Sequence, residues 1–226
     1  MRLRLLPFAI SCLLAGSVTG CNRASETAPP AAPPAAPAPA AVSYATQHLG
    51  DYVSVQLTAD MSALDANDKQ LLALLVQACD VMNSLYWQQA WGDKAALMAR
   101  VSDPDTRRFV ELNYGPWDAL NDNVSFVEGI GPRPAGVTFY PADMSKAEFE
   151  AAALPDKTSW YTLLRRDSAG KLITVPFHEA YKDDLTKAAA LLRQAAPLSK
   201  DAGFKNYLLM RADALLSDNF QPSDLA

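Results

Sequence analysis

From Ala66 to Trp91 the apolar positions fall on one broad stripe, through Leu71, Leu74, Leu75, Ala78, Met82, Leu85 and Tyr86. That spacing predicts a long amphipathic helix. Asp65 stands where a cap is needed, and Gly92 supplies the stop. A shorter helix is predicted from Lys94 to Arg100. Asp103-Pro104 then starts a third, with a cap followed by proline at the first helical position. Upstream, Tyr52 to Thr58 alternates, with Val53, Val55 and Leu57 on one side and Ser54 and Gln56 on the other. This is the pattern of a short, half-buried strand.

Between Asn121 and Pro141 glycine, proline and asparagine predominate, and the segment reads as loops with extended pieces at Ser125 to Val127 and Val137 to Tyr140. Ser145 and Glu148 are spaced as a capping box, with Met144 and Phe149 placed for a hydrophobic staple. Ser159 to Arg166 and Lys171 to Val175 form a predicted hairpin around Asp167-Ser168-Ala169-Gly170. Two helices follow, His178 to Ala195 and Asp201 to Ser217, parted at Pro197. The fold class is α+β and helix-rich, with short strands and a hairpin. No internal repeat is visible.

The third helix runs into Asn113-Tyr114-Gly115-Pro116-Trp117-Asp118. Here Gly115 is expected to take a conformation closed to other residues, and Pro116 fixes the next φ. Tyr114 and Trp117 add large amphipathic surfaces at an abrupt turn. Read as physics alone, this is a packed helix end. The hexapeptide also resembles a segment of the bacterial branch of the dipeptidyl peptidase III family of zinc metallopeptidases. Leu85-Tyr86-Trp87-Gln88-Gln89-Ala90-Trp91-Gly92-Asp93-Lys94 upstream fits the same family. So do Phe139-Tyr140-Pro141-Ala142-Asp143-Met144 and Pro176-Phe177-His178-Glu179-Ala180-Tyr181 downstream. The similarity runs in order from Asp51 to the last residue.

The resemblance implies one lobe of a two-lobed, zinc-dependent exopeptidase that releases dipeptides from the N-termini of peptides. It implies a cleft between the lobes, with Asn113, Tyr114, Gly115 and Trp117 as the cleft-facing candidates in this chain. In the resembled family the sequence continues beyond the position of Ala226. The zinc motif His-Glu-x-x-Gly-His and a further glutamate ligand lie in that continuation. The expectation is therefore an N-terminal portion that is missing its C-terminal lobe, with zinc belonging to the parent and none bound here.

The N-terminal residues carry a different message. Arg2 and Arg4 precede an apolar run from Leu5 to Ala15, the pattern of an export signal over residues 1–20. The run is shorter than the roughly 20 apolar residues that span a bilayer. It leads to Val18-Thr19-Gly20-Cys21, a lipobox, with Cys21 the acylated new N-terminus; an ordinary signal with an incidental cysteine is the alternative. Lipid there anchors the chain to a membrane without spanning it. Asn22 stands where an aspartate favours the inner membrane, so the expected location is the outer membrane, facing the periplasm. Ala28 to Ala41 contains only alanine and proline. It reads as a semi-rigid spacer within a linker over residues 21–45. The alternative, a proline-rich ligand, lacks flanking basic residues. The folded part is expected over residues 46–226.

Without Arg2 and Arg4, the 20 basic residues fall to 18 against 25 acidic ones, a formal charge of −7. A mixed, mildly acidic surface argues against nucleic-acid binding. Cys12 leaves with the signal and Cys21 takes lipid, so Cys79 is left as a buried free thiol with no disulfide partner.

His178-Glu179 invites a zinc reading, but one turn on stands Lys182, which as a cation repels a metal. His48 is the other histidine of the chain, and a catalytic zinc takes three protein ligands. No Gly-x-Ser-x-Gly elbow is present, and Gly129-Ile130-Gly131-Pro132 lacks the lysine and context of a phosphate loop. Asp183, Asp184 and Asp201 read as helix-surface or capping acids. Arg165 and Arg166 point to opposite faces of a strand, one of them available to an interior acid. Two functions stand side by side: part of a lipid-anchored zinc exopeptidase, and a non-catalytic tethered lipoprotein that binds peptides or a partner.

Overall fold

The computed structural model describes residues 42–226. The signal, the lipobox cysteine Cys21 and the Ala/Pro tract lie outside the described residues. Ser43 caps α1 (Tyr44–His48), and Ala45 within it is buried.

The helical frame follows its caps. Asp65 opens α2 (Ala66–Ala90) with a reciprocal box: its carboxylate accepts from the Asp68 amide, and Asp68 accepts from the Asp65 amide. Lys200 also meets Asp65, and with the Asp68 amide it holds that carboxyl down at about 2. Asp93 caps α3 (Lys94–Arg100), and Asp103 caps α4 (Pro104–Asn113), with proline in the first turn. Ser145 caps α5 (Lys146–Ala151), but only half of the expected box forms. The Glu148 carboxylate instead grips Arg166 with two hydrogen bonds of 2.8 and 3.0 Å. Arg166 holds Glu148 below the ordinary glutamate range.

The described strands form two antiparallel pairs. β1 (Trp117–Asp118) faces β2 (Val124–Ser125). β3 (Thr162–Arg166) faces β4 (Leu172–Pro176), with Thr162 opposite Pro176 and Arg166 opposite Leu172. The predicted turn closes the second pair. Asp167 accepts from the amides of Ala169 and Lys171, and Gly170 takes a φ of +79°. Of the two arginines, Arg166 reaches Glu148 and Asp143, while Arg165 donates to the carbonyls of Thr138 and Leu164.

The expected helix from 178 breaks into α6 (Phe177–Ala180) and α7 (Lys182–Ala195), because Tyr181 between them leaves helical geometry, at φ −116° and ψ 25°. α8 (Ala202–Leu215) is capped by Asp201, and α9 (Gln221–Asp224) follows. The core has two centres. One joins Leu71 and Ala78 of α2 to Ala189 and Leu192 of α7 and Leu208 and Ala212 of α8. The other gathers Trp87, Leu97, Val101, Val110 and Val127.

Three readings are corrected. Tyr52 to Thr58 forms no strand and pairs with nothing among the described residues, and Val53, Val55 and Leu57 are 84%, 73% and 92% exposed. Alternation marks a strand's faces; it does not supply the neighbour that makes one. Cys79 is exposed, because it lies at the margin of the α2 stripe. Val137 to Tyr140 is a run of turns, not an extended piece.

Candidate functional site

The hexapeptide closes α4 by an unusual route. Tyr114, not Gly115, takes the left-handed conformation, at φ 52° and ψ 30°. The amides of Tyr114 and Gly115 both turn back to the Val110 carbonyl. A non-glycine residue there costs about 1–2 kcal/mol, so its surroundings must hold it. The Tyr114 hydroxyl donates to Asn83 Oδ1 at 2.8 Å. Its ring meets Tyr86 edge-on at 4.6 Å and lies 5.2 Å from Trp87. Tyr86, expected in the core stripe, is 54% exposed and serves as this outer brace.

The remaining positions of the hexapeptide are committed to structure. Asn113 Oδ1 accepts from the Tyr52 hydroxyl and the Ala119 amide, and its Nδ2 donates to the Phe109 carbonyl. Gly115 and Pro116 are buried. Trp117 is 6% exposed, and its indole N–H donates to the Gly131 carbonyl at 3.0 Å. Asp118 is buried and accepts from the Tyr44 hydroxyl at 2.9 Å. Burial pushes the Tyr44 and Tyr52 phenols up, and the Asp118 charge adds to it. Of the four cleft-facing candidates, Asn113 and Tyr114 keep some exposed surface; Gly115 and Trp117 lie beneath it.

What the hexapeptide supports is a pair of grooves. One, of about 320 Å³, runs between Asp122 and Asn123 and the loop from Pro132 to Gly136. The other, of about 230 Å³, is lined by Tyr86, Gln89, Ala90, Val137 and Phe139. Arg133 and Gly136 border both. Trp117 holds one end of this loop through Gly131. Thr138 holds the other, its hydroxyl 3.0 and 2.8 Å from the Gln88 and Gln89 carbonyls at the end of α2. Backbone strain collects here: Asp122, Asn123 and Val137 have φ of 47°, 57° and 44°. For β-branched Val137 this is a rare conformation. Such strain persists only where the surroundings enforce it, and it concentrates at ligand clamps and active sites.

The grooves offer a guanidinium, a carboxylate, amides and aromatic edges. These groups bind and orient; they include no nucleophile poised beside a base. The sequence reading missed Arg133, Asp122 and Gly136. The signal available was the Gly-Pro-Arg-Pro-Ala-Gly run from Gly131 to Gly136, which sets a cation in a stiff loop.

The described residues do not fit a catalytic zinc. His178 gives its Nδ1 to Asp218 at 2.7 Å, and His48 gives its Nδ1 to Asp51 at 2.8 Å. Among the described residues no three His, Cys, Asp or Glu side chains converge to hold a metal ion. The break at Tyr181 also takes Lys182 off the short helix that carries His178.

Comparison with solved structures decides the fold. Dipeptidyl peptidase III from Caldithrix abyssi superposes with a TM-score of 0.74 and 32% identity over 79% of this chain. The dipeptidyl-peptidase III of Corallococcus sp. strain EGB gives 0.74 and 34% over 80%. Over the matched span this is a dipeptidyl peptidase III fold. The chain spans 36% of the length of either dipeptidyl peptidase III chain. Among curated proteins, Nudix hydrolase 3 of Arabidopsis thaliana is 25% identical over 80% of this chain and 31% of its own length. That weak likeness does not carry its name to this chain. No protein-family model matches. With dipeptidyl peptidase III as the neighbour, a peptidase-like, helix-rich α+β architecture is what α2, α4 and the hexapeptide build.

Proposed function

We propose that this chain is the N-terminal portion of a lipid-anchored, zinc-dependent exopeptidase resembling dipeptidyl peptidase III, acting on peptides at the periplasmic face of the outer membrane. The observation that carries the reading is the shared fold at 32% to 34% identity with two dipeptidyl peptidase III chains. The grooves around Arg133 then form part of the peptide cleft, with Tyr114 and Asn113 shaping its wall from below. The zinc and its ligands are assigned to the rest of the parent chain, since the donor set among residues 42–226 does not fit the ion. This portion's work is to hold peptide, through backbone amides, the Arg133 charge and aromatic edges, while bond cleavage is done elsewhere.

The test compares this chain with one lengthened, by the coding sequence after residue 226, to the span of its relatives. The lengthened chain is expected to bind one zinc and release dipeptides from a chromogenic dipeptidyl amide. This chain is expected to do neither. One tightly bound zinc on this chain, by metal analysis after dialysis, overturns the assignment. A lengthened chain without a zinc motif favours a tethered, non-catalytic binder.

The anchor has its own measurement. In a bacterial host given labelled palmitate, the chain is expected to take up label and sediment with the outer membrane. Cys21→Ser is expected to abolish both. Label retained by that variant removes Cys21 as the acceptor.

A further inference from the structure

Two opposite charges, Asp122 and Arg133, line the groove between the turn at Asp122 and Asn123 and the loop from Pro132 to Gly136. Both residues are exposed. Arg166, Arg193 and Arg211 each close on a carboxylate, whereas among the described residues the side chains of Arg133 and Asp122 have no ion-pair or hydrogen-bond partner. The groove measures about 320 Å³, at the small end of the ~300–1,000 Å³ usual for ligand sites.

Both walls are held. Behind Asp122, the Asp118 carbonyl accepts the amides of Asn121 and Asn123 at 3.2 and 2.9 Å. Asp118 is itself buried, and its carboxylate accepts from the Leu120 amide at 3.0 Å as well as from Tyr44. The turn so pinned carries Asp122 and Asn123 as successive left-handed residues. On the other wall, Arg133 stands between Pro132 and Pro134. Proline fixes its own φ and confines the residue before it to extended backbone. The ends of the loop are tied at Gly131 and Thr138. The backbone under each charge is thus set before a ligand arrives, which lowers the entropy that binding costs. Asn123 lines the groove too, and its carboxamide offers a donor and an acceptor, the complement of one peptide group.

A carboxylate and a guanidinium on opposite walls of one small groove match a ligand with an ammonium at one end and a carboxylate at the other. We infer that this groove takes a short peptide by both of its free ends, the ammonium at Asp122 and the carboxylate at Arg133. The guanidinium fork suits a carboxylate because it can donate two parallel hydrogen bonds. The inference rests on the proposed reading of these grooves as a peptide site. It narrows that reading from peptides in general to those short enough to present both ends at once. A dipeptide is the smallest of them, and it is the product proposed for the longer enzyme.

The test titrates this chain with Ala-Ala, N-acetyl-Ala-Ala and Ala-Ala amide, read by calorimetry. Ala-Ala is expected to bind once per chain, and each blocked form to bind about tenfold or more weakly, since each loses one charge-assisted contact. Arg133→Gln should weaken Ala-Ala by a similar factor and erase its advantage over the amide, but not over the acetyl form. Asp122→Asn should do the converse; asparagine tolerates the left-handed backbone, so the turn is kept. Both variants should melt within about 2 °C of the parent, as exposed substitutions do. Equal binding of the three peptides, or none at millimolar concentration, overturns the inference; if a lengthened chain nonetheless releases dipeptides, the peptidase reading stands. The full pattern in this chain, with a lengthened chain that neither binds zinc nor releases dipeptides, supports the two-ended site and overturns the peptidase reading. Loss on amidation alone means that only a carboxylate is read, and the two-ended site falls. A pattern that neither variant changes places the peptide elsewhere and overturns the inference as well.

Discussion

Replacing Phe109 with alanine is expected to lower stability by about 3–5 kcal/mol, the usual cost of truncating a buried aromatic. Phe109 has no exposed surface. Its ring is met by Phe126 at 4.7 Å, Tyr52 at 5.7 Å and Tyr44 at 6.2 Å. These partners come from before α2, from α1 and from the residue just after β2. The two tyrosines cannot follow the missing ring inward, because their hydroxyls are tied: Tyr44 to Asp118 and Tyr52 to Asn113. The cavity therefore stays open, and cavity volume is what makes such truncations costly. For a domain this size each kcal/mol shifts the melting temperature by about 2–4 °C. Urea unfolding should show the midpoint falling with an unchanged slope, and a loss below about 1 kcal/mol contradicts the packing described. The site is expected to loosen with it, since α4 carries the hexapeptide.

The second large effect is expected at Gly136, between the two grooves. Its φ is +71°, and a Cβ built there lies 2.1 Å from Cδ2 of Tyr140. Gly136→Ala thus combines a left-handed penalty of about 1–2 kcal/mol with overpacking of about 1–3 kcal/mol. Adding Tyr140→Ala should recover the second part and leave the first, which a double-mutant cycle separates. Gly115→Ala is the contrast. Its nearest new neighbour is the Trp117 ring at 3.6 Å, and its backbone is not left-handed. It should cost less than about 1 kcal/mol, as a change with room and no strain does. If Gly115→Ala proves the more damaging of the two, the placement of strain at Tyr114 and Gly136 is wrong.

That contrast shows where sequence reading succeeds and where it stops. The caps at Asp65, Asp93, Asp103, Ser145 and Asp201 act within one turn, so each helix start was legible from four neighbouring residues. The turn at Asp167 to Gly170 was legible for the same reason. Tyr114 was not. Propensity favours glycine for a left-handed residue, and Asn83 and Tyr86, which hold the tyrosine there, are about thirty positions away in the chain. The break at Tyr181 has no proline or glycine to announce it. The grooves are a tertiary product. They join the end of α2, the turn at Asp122 and Asn123, and the loop at Arg133, and no spacing rule connects those three. The family likeness was legible because four local segments stood in one order; the chemistry of the site was not, because local order says nothing of which loops meet.

The unpaired run at Val53, Val55 and Leu57 has a consequence for handling the molecule. A segment that joins no sheet among the described residues and bares three aliphatic side chains invites pairing with other extended chains. Net charge of −5 gives repulsion between molecules, but salt shortens its reach. Storage at high ionic strength and high concentration therefore selects for slow, strand-to-strand clumping that begins at this one ribbon, while the helices behind it stay folded.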